Sequence, residues 1–254
     1  MGLQRAPARP APGSAASAPA LPVLPVLLTV LALLLGSAAC DSDHPAPTGT
    51  DESPARTATP DPGPSVWTTA GPPAAAQTAS AALLRVTDLP GGYTYSPLTV
   101  LAPRAVDPPA CRTLIGPGTG LLDGATGEAS TAFVGQDLSA AVAHSVGVYA
   151  TPAAGAAVVD RARRLGRACS RTVVNGTTFS VTSVDRPGVG GAPAVTLVLR
   201  QAQGVGQTTV TLRGRLVSVL AIAGRPPGPP AALVQQAAQA STRRLTAAGA
   251  TAGA

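Results

Sequence analysis

Strand-like segments between residues 172 and 223 constrain the fold more than any other feature of the chain. They are rich in β-branched residues, and short glycine-containing turns separate them. Asn175-Gly176 suits the positive φ angles of a type I′ hairpin turn. Because connections this short join neighbouring antiparallel strands, this part of the chain predicts an antiparallel sheet. The predicted strands begin with the hairpin at residues 172–179 and continue at 179–184, 194–201, 208–213 and 216–223.

Two more strands are predicted ahead of this segment, at residues 129–136 and 140–150. In the second, larger side chains alternate with smaller ones, which is the period of a strand with two different faces. One face is expected to carry Val142, His144, Val146 and Val148.

Three helices are predicted around these strands. The clearest begins at Thr151-Pro152, because threonine is a good N-cap and proline suits the first helical turn. A short helix should begin near Ser80 and end before Pro90-Gly91, and a last helix should cover residues 231–245. The inward face of the clearest helix should carry Val158, Ala162, Leu165 and Cys169. That of the last helix should carry Val234, Ala238, Ser241 and Leu245.

Strands in runs, with helices between and after them, indicate an α+β layer fold. We expect an antiparallel sheet of about six to seven strands, packed with two longer helices and one short N-terminal helix, with one disulfide. The predicted division is a lipoprotein signal peptide at 1–39, a lipidated cysteine and disordered linker at 40–78, a globular domain at 79–246 and a disordered tail at 247–254.

The N-terminal segment predicts export. An apolar run from Leu21 to Leu35 follows two arginines and is shorter than the about 20 residues that a membrane span needs. Small residues then lead to Cys40, in a pattern that resembles the bacterial lipobox, in which the cysteine is lipid-modified after cleavage. The resemblance implies a palmitate-type anchor on the outer face of the bacterial cytoplasmic membrane. The alternatives are an ordinary signal peptide cut near Ala39 and a retained transmembrane anchor.

The segment from Cys40 to residue 78 is rich in proline, threonine and alanine, with few large apolar side chains. Such a segment buries too little apolar surface to offset the entropy of ordering, so the sequence predicts a disordered linker.

The chain has three cysteines. If Cys40 carries the lipid, Cys111 and Cys169 remain for each other, and outside the cytoplasm such a pair persists as a disulfide.

A short helix that ends in Asp-Leu-Pro, an early cysteine, and a second cysteine at the end of an Ala/Arg-rich helix form a combined pattern. This pattern resembles the PknH-like extracellular sensor domains and related small lipoproteins of high-GC bacteria. The resemblance implies a cleft-bearing α+β module that binds an unidentified ligand outside the cell. The matching residues are Leu83-Leu84, Asp88-Leu89-Pro90, Cys111, residues 146–149 and residues 156–169.

Motifs for catalysis are absent from the sequence. It has no Gly-x-Ser-x-Gly elbow, no His-Glu-x-x-His and no phosphate-binding loop with lysine, because all 18 basic residues are arginine. His144 could form a triad only with Ser130 or Ser139 and an aspartate brought close by the fold. Asp123, Glu128 and Asp137 could ligate calcium, although no loop pattern supports this. We therefore predict no catalytic residue, no metal and no cofactor.

The charge suggests a surface for anions. Residues 80–245 contain 15 arginines and 7 acidic residues, a net charge of about +8. An anionic lipid, a cell-wall polymer or an envelope protein could bind this surface, or the arginines could form only a solvated face. Nucleic acid is not expected, because aromatic stacking platforms are lacking. The possible anion-binding residues are Arg161, Arg163, Arg164, Arg167 and Arg171.

The sequence thus predicts a lipid-anchored extracytoplasmic binding or sensor module without catalytic activity. The alternatives are a small cell-envelope hydrolase and a structural lipoprotein that docks a partner.

Overall fold

Ten β-strands form one antiparallel sheet in the computed structural model, which describes residues 68–96, 105–115, 119–185 and 188–251. These residues all belong to one compact unit, residues 58–254. The helices are α1 (Pro73–Ala81), α2 (Pro152–Ala168) and α3 (Ala231–Thr251). The strands are β1 (Thr68–Ala70), β2 (Tyr93–Tyr95), β3 (Val106–Asp107), β4 (Gly127–Gly135), β5 (Ala140–Val148), β6 (Arg171–Val174), β7 (Thr177–Asp185), β8 (Ala194–Gln201), β9 (Gly204–Arg213) and β10 (Leu216–Gly224).

The order of strands in the sheet follows from one long crossover. The sheet has the order β4-β5-β10-β9-β8-β7-β6-β3, and both β1 and β2 pair with the outer edge of β4. From β5 the chain passes through α2 to the far part of the sheet. It then returns strand by strand until β10 pairs with β5, where Leu220 lies opposite His144. Two-residue turns join β6 to β7, β8 to β9 and β9 to β10, as the sequence predicted for antiparallel neighbours.

The expected number of six to seven strands was too low. The seven longer strands correspond to predicted ones, and the three additional strands are β1, β2 and β3, with two or three residues each. Elements this short have no detectable period in the sequence, and they exist because their backbones complete the edges of the sheet.

Helix α2 packs on one face of the sheet. Of the predicted inward face, Val158, Ala162 and Cys169 are fully buried against core residues of β7 to β10, and Leu165 is partly buried against the same core. Thr151 caps the helix, since its hydroxyl accepts a hydrogen bond from the Ala154 N–H. At Gly166 a Cβ atom would lie 2.5 Å from the Leu197 side chain, so glycine allows this helix to lie close to the sheet.

The opposite face carries α1 and α3. Leu216, Leu220 and Ile222 of β10 point to this face, while the alternate residues Val217 and Val219 pack toward α2. The predicted stripe of α3 is only partly correct. Ser241 and Leu245 are buried, but Val234 and Ala238 lie at the border of the core, and the other buried residues are Leu233, Ala237, Ala240 and Ala248.

Two helix boundaries differ from the prediction. The short helix near Ser80 begins at Pro73 instead, and Ser80 lies in its last turn. All of β1 and the first two thirds of α1 therefore precede residue 79, where the globular domain was predicted to begin. Helix α3 continues to Thr251, into the segment for which a disordered tail was predicted. In both cases the segment is rich in alanine and lacks large apolar residues, so it shows no apolar periodicity, although alanine favours helix strongly.

The predicted disulfide is confirmed. Cys111 and Cys169 are bonded, with a Cα–Cα distance of 5.8 Å and 58 residues between them in the chain. Cys111 belongs to a 3₁₀ turn at Pro109–Leu114, so the bond ties this otherwise irregular segment to the end of α2. The predicted hairpin turn is also confirmed, since Asn175 and Gly176 have φ angles of 48° and 83°.

Candidate functional site

A groove lies where α3 leaves part of the sheet uncovered. Helix α3 packs mainly on β10 and to a lesser extent on β9. On the same face, β8 and β9 present polar residues at alternate positions, among them Thr196, Gln207 and Thr209. The loop around Val189 borders the groove at its opening, and this valine is 45% exposed. The groove therefore has the sheet as its floor, α3 as one wall and the loop as its rim.

Val189 and Thr242 border two neighbouring cavities in this groove. The inner cavity, between α3 and the sheet, has a volume of about 320 Å³. The outer one, on the solvent side of α3, has a volume of about 510 Å³. The inner cavity is lined by Gly188, Val189, Ala194, Thr196, Gln207, Thr209, Thr211, Leu220, Ala238, Ser241 and Thr242. The outer one is lined by Val189, Gln239, Thr242, Arg243, Thr246 and Ala247.

Hydroxyl and amide groups dominate the polar lining of the inner cavity. The hydroxyls of Thr196 and Thr209 lie 3.2 Å apart and form a hydrogen bond across the two strands. Thr211 is only 8% exposed, yet its hydroxyl makes no hydrogen bond to any residue that the structure describes. None of the described residues around this cavity is charged. The cavity can thus offer donors and acceptors to a ligand without imposing a charge on it.

A buried hydrogen-bond network lies directly behind the cavity wall. His144 is fully buried, and its Nε2 lies 2.9 Å from the Ser218 hydroxyl and 3.0 Å from the Ser241 hydroxyl. Its Nδ1 accepts a hydrogen bond of 3.0 Å from the Leu84 N–H. Because a backbone N–H can only donate, Nδ1 carries no proton and the neutral ring is protonated at Nε2. Three segments of the chain, before β2, in β10 and in α3, therefore meet at one imidazole.

This network has the wrong polarity for a hydrolase. A nucleophilic serine needs a histidine nitrogen that can accept its proton, whereas Nε2 of His144 already carries one. Burial lowers the pKa of His144 to about 3, although the nearby Asp88 charge acts in the opposite direction. Neither serine proposed for a triad is its partner: Ser130 bonds to Ser145, and Ser139 lies in the turn beside Asp137. His144 is therefore a structural residue that orders the wall of the groove.

An ion pair also holds α3, the helical wall of the groove, in place. The Arg244 Nε lies 2.9 Å from the Asp88 carboxylate, and both side chains are mostly buried. The same carboxylate accepts a hydrogen bond from the Arg85 N–H, and Gln236 donates one to the Asp88 carbonyl oxygen. The Asp-Leu-Pro turn therefore holds α3 against the sheet.

The carboxylates do not form the calcium site considered from the sequence. The pKa of Glu128 is raised, mainly by burial and also by the nearby charge of Asp123. Asp137, however, lies in the turn that follows β4, whereas Glu128 lies near the start of that strand. Within the described part of the chain, no three histidine, cysteine, aspartate or glutamate residues are placed to hold a metal ion.

The structure divides the predicted arginine cluster into two groups. Arg163 pairs with both Asp160 and Asp185, and Arg161 lies 3.9 Å from the Asp123 carboxylate. The remaining three are exposed and have no hydrogen-bond or ion-pair partner among the described residues: Arg164, Arg167 and Arg171. Asp160 pairs with Arg163 and not with Arg164, although Arg164 lies four residues further along the same helix. Because Arg161 and Arg163 lie beside carboxylates, the unpaired part of this cluster is reduced to these three residues.

The lipobox and Cys40 lie outside the described residues, so the lipid anchor stays a prediction. Among the described helices, none combines the length and the hydropathy that crossing a bilayer requires.

The sequence did not predict the residues of the groove. A signal was present, because one face of β9 carries Gln207, Thr209 and Thr211 in succession, which are three polar residues inside the sheet. Polar residues on one face of a central strand indicate a face that no helix covers completely. The pairing of β9 with β8, and the distance to which α3 extends, come only from the fold.

Comparisons with known proteins give the following findings. No protein-family model matches the chain, and no curated protein matches it. Among solved structures, it is similar to the extracellular domain of PknH from Mycobacterium tuberculosis, with 17% identity and a TM-score of 0.49 over 68% of this chain and 95% of that one. It is also similar to an uncharacterized protein (Rv0999 ortholog) from Mycobacterium smegmatis, with 15% identity and a TM-score of 0.35 over 67% and 95% of the two chains. Membership of the PknH-like family stays a prediction.

Proposed function

We propose that this protein is a lipid-anchored extracytoplasmic binding module whose ligand occupies the groove between α3 and strands β8 and β9. The observation that carries the proposal is the inner cavity, which is open, of ligand size and lined by polar groups that the fold leaves partly unused. Residues behind its wall are fixed by the His144 network and by the ion pair of Arg244 with Asp88. A rigid frame around an open cavity is typical of a preformed binding site.

The module acts by recognition and not by catalysis. His144, the single histidine among the described residues, is held in the tautomer that cannot activate a serine. The cavity itself offers hydroxyl, amide and apolar groups, none of which is an acid or a base near neutral pH. These observations favour the binding module over the envelope hydrolase.

Two features support a location outside the cytoplasm, namely a disulfide in the structure and a leader segment in the sequence. The Cys111–Cys169 disulfide is typical of proteins that fold outside the cytoplasm. The leader sequence with its lipobox-like end at Cys40 adds export and attachment to the membrane. With the linker, the domain would extend from the outer face of the cytoplasmic membrane.

A thermal-shift screen tests the groove. The full-length chain in a zwitterionic detergent is heated with fractions of small molecules and glycans from a bacterial envelope. A ligand that binds only the folded state raises the melting temperature, and the shift grows with the logarithm of the ligand concentration above its Kd. Ala238→Leu fills the inner cavity and should abolish the shift, whereas Ala247→Leu in the outer one should retain it. A shift of equal size in both variants would place the ligand elsewhere.

A second surface for anionic partners is favoured by a separate observation. Arg164, Arg167 and Arg171 are exposed and unpaired within the described residues, and they lie near the C-terminal end of α2, a helix that packs on the opposite face of the sheet from α3. Such a surface would hold the domain near anionic lipid headgroups or cell-wall polymers. A protein partner at the same surface is the third possibility, and the vesicle measurement described below separates lipid from the other two.

A further inference from the structure

We propose that the ligand of the inner cavity is a neutral, polyhydroxylated molecule of the saccharide class. This inference rests on the proposed function, because it names the chemistry of the molecule that the groove would take. The evidence comes from the unpaired polar groups of the cavity, from the absence of charge among its described residues, and from its size.

Thr211 provides the first argument. Its side chain is more than nine-tenths buried, it lines the inner cavity, and its hydroxyl has no hydrogen-bond partner among the described residues. The hydroxyl oxygen keeps contact with the cavity, so water can bond to it in the free protein. A ligand hydroxyl that bonds to Thr211 would replace this water at the moment of binding.

The neighbouring groups provide the second argument. Gln207, Thr209 and Thr196 lie side by side on the floor of the same cavity, and the amide of Gln207 also makes no hydrogen bond to a described residue. A hydroxyl can donate and accept, and an amide has two donors and an acceptor. A row of such groups matches a ligand whose own hydroxyls both donate and accept. An anion, which only accepts, would leave the acceptor capacity of this row unused.

The cavity also disfavours the other ligand classes. An anionic ligand would need a positive group, but Arg243 belongs to the outer cavity and no described residue of the inner one is charged. A long apolar chain would leave the hydroxyls of several threonines without water or partner. At about 320 Å³, the inner cavity lies at the small end of the range for ligand pockets. The apolar side chains beside the polar row can contact the C–H face of a small sugar: Ala194, Leu220 and Ala238.

Saturation-transfer difference NMR on the full-length chain in a zwitterionic detergent tests the inference. The neutral probes are maltose, sucrose and N,N′-diacetylchitobiose; glucose 6-phosphate and inorganic phosphate are the anionic probes, and palmitate is the apolar one. We expect saturation transfer to at least one neutral probe, and its loss in Ala238→Leu. Thr211→Val, which replaces only the unpaired hydroxyl, should weaken binding at least fivefold without lowering the melting temperature.

Thr208→Val is the matched control. Thr208 is 7% exposed and lies on the same strand, but it points to the opposite face of the sheet, beside Leu197. Its replacement should leave binding unchanged. Equal weakening by both variants would overturn the role of Thr211.

The two proposals can fail separately. Preference for phosphate, glucose 6-phosphate or palmitate, with sensitivity to Ala238→Leu, would overturn the saccharide inference and keep the groove as a binding site. If no probe binds in a manner that Ala238→Leu abolishes, the inference is overturned, and the envelope-fraction screen above then decides the fate of the groove. A negative result in both experiments overturns the proposed function.

Discussion

At the scale of single residues, His144 shows how burial decides chemistry. An imidazole that loses all contact with water favours its neutral form, and this effect exceeds the attraction of the Asp88 charge. The ring remains buried because each nitrogen has a partner, Leu84 N–H on one side and two serine hydroxyls on the other. A fully bonded, neutral histidine between a sheet and a helix therefore stabilises one arrangement of α3.

This neutral histidine predicts acid sensitivity. The pKa of His144 is lowered from 6.5 to about 3 in the folded protein, so between these pH values only the unfolded chain binds the proton. The free energy of unfolding should therefore fall as the pH falls below 6.5, by up to about 1.4 kcal/mol per pH unit. Urea denaturation at pH 7.5, 6.5 and 5.5 measures it. The stability of His144→Gln, although lower at pH 7.5, should change less over this range, and an identical pH slope in both proteins would refute the assignment.

At the scale of elements, α3 is the wall of the groove and its attachment can be measured. The Arg244 side chain is 23% exposed and that of Asp88 15%, so water screens their ion pair only in part. Removal of the arginine also leaves a mostly buried carboxylate without its cation.

Arg244→Ala should therefore destabilise the domain by about 1–2 kcal/mol, measured as a shift of the urea midpoint. Its neighbour Arg243 is exposed and has no partner among the described residues. Arg243→Ala is thus a matched control and should change stability by less than about 0.5 kcal/mol. Similar losses in the two variants would mean that helix propensity, and not the ion pair, explains the effect.

The longer elements were predictable from the sequence because their signals are local. Asn175-Gly176, the Thr151-Pro152 cap and the alternation in β5 each specify structure within a few residues. The pairing of Cys111 with Cys169 followed from the number of cysteines. The groove was not predictable in this way. It depends on β10 pairing with β5 as well as with its sequence neighbour β9, and on which part of β9 lies under α3. Such relations are set by long-range packing, which local patterns do not encode.

At the scale of the whole molecule, two separate features would place the domain near a membrane. Cys40 lies ahead of the described residues and would carry a lipid, while the exposed arginines near the end of α2 would attract anionic headgroups. One acyl chain alone binds a bilayer only marginally, and a basic surface can add to such binding. The contributions of the lipid and of the arginines therefore have to be measured separately.

Cys40→Ser tests the anchor. A diacylglycerol on this cysteine supplies two chains, which is sufficient for stable attachment. We expect the variant to be released from membranes or to accumulate unprocessed, and to incorporate no labelled palmitate. Ser37→Ala changes a neighbouring small residue and should retain both attachment and label. Membrane fractionation that finds Cys40→Ser attached to the same extent as the parent would contradict the lipobox.

The free arginines are best tested in the chain without its lipid. In the Cys40→Ser background, binding to vesicles of phosphatidylglycerol should decrease with salt, because exposed charges are screened over about 8 Å at physiological ionic strength. Each arginine near an anionic surface contributes on the order of 1 kcal/mol, so joint replacement of Arg164, Arg167 and Arg171 by glutamine should abolish most of the binding.

Folding should survive this triple change, because the three side chains are exposed and lie off the buried face of α2. A second triple variant, with Arg213, Arg215 and Arg225 changed to glutamine, removes the same charge from exposed positions elsewhere and is the matched control. Retention of binding in this control locates the surface at the end of α2. Equal loss in both variants would instead show that only the net charge of the domain acts. A third outcome is that vesicles bind neither the parent nor the variants, whereas an anionic cell-wall polymer binds the parent and not the α2 variant. The partner would then be the polymer and not the lipid.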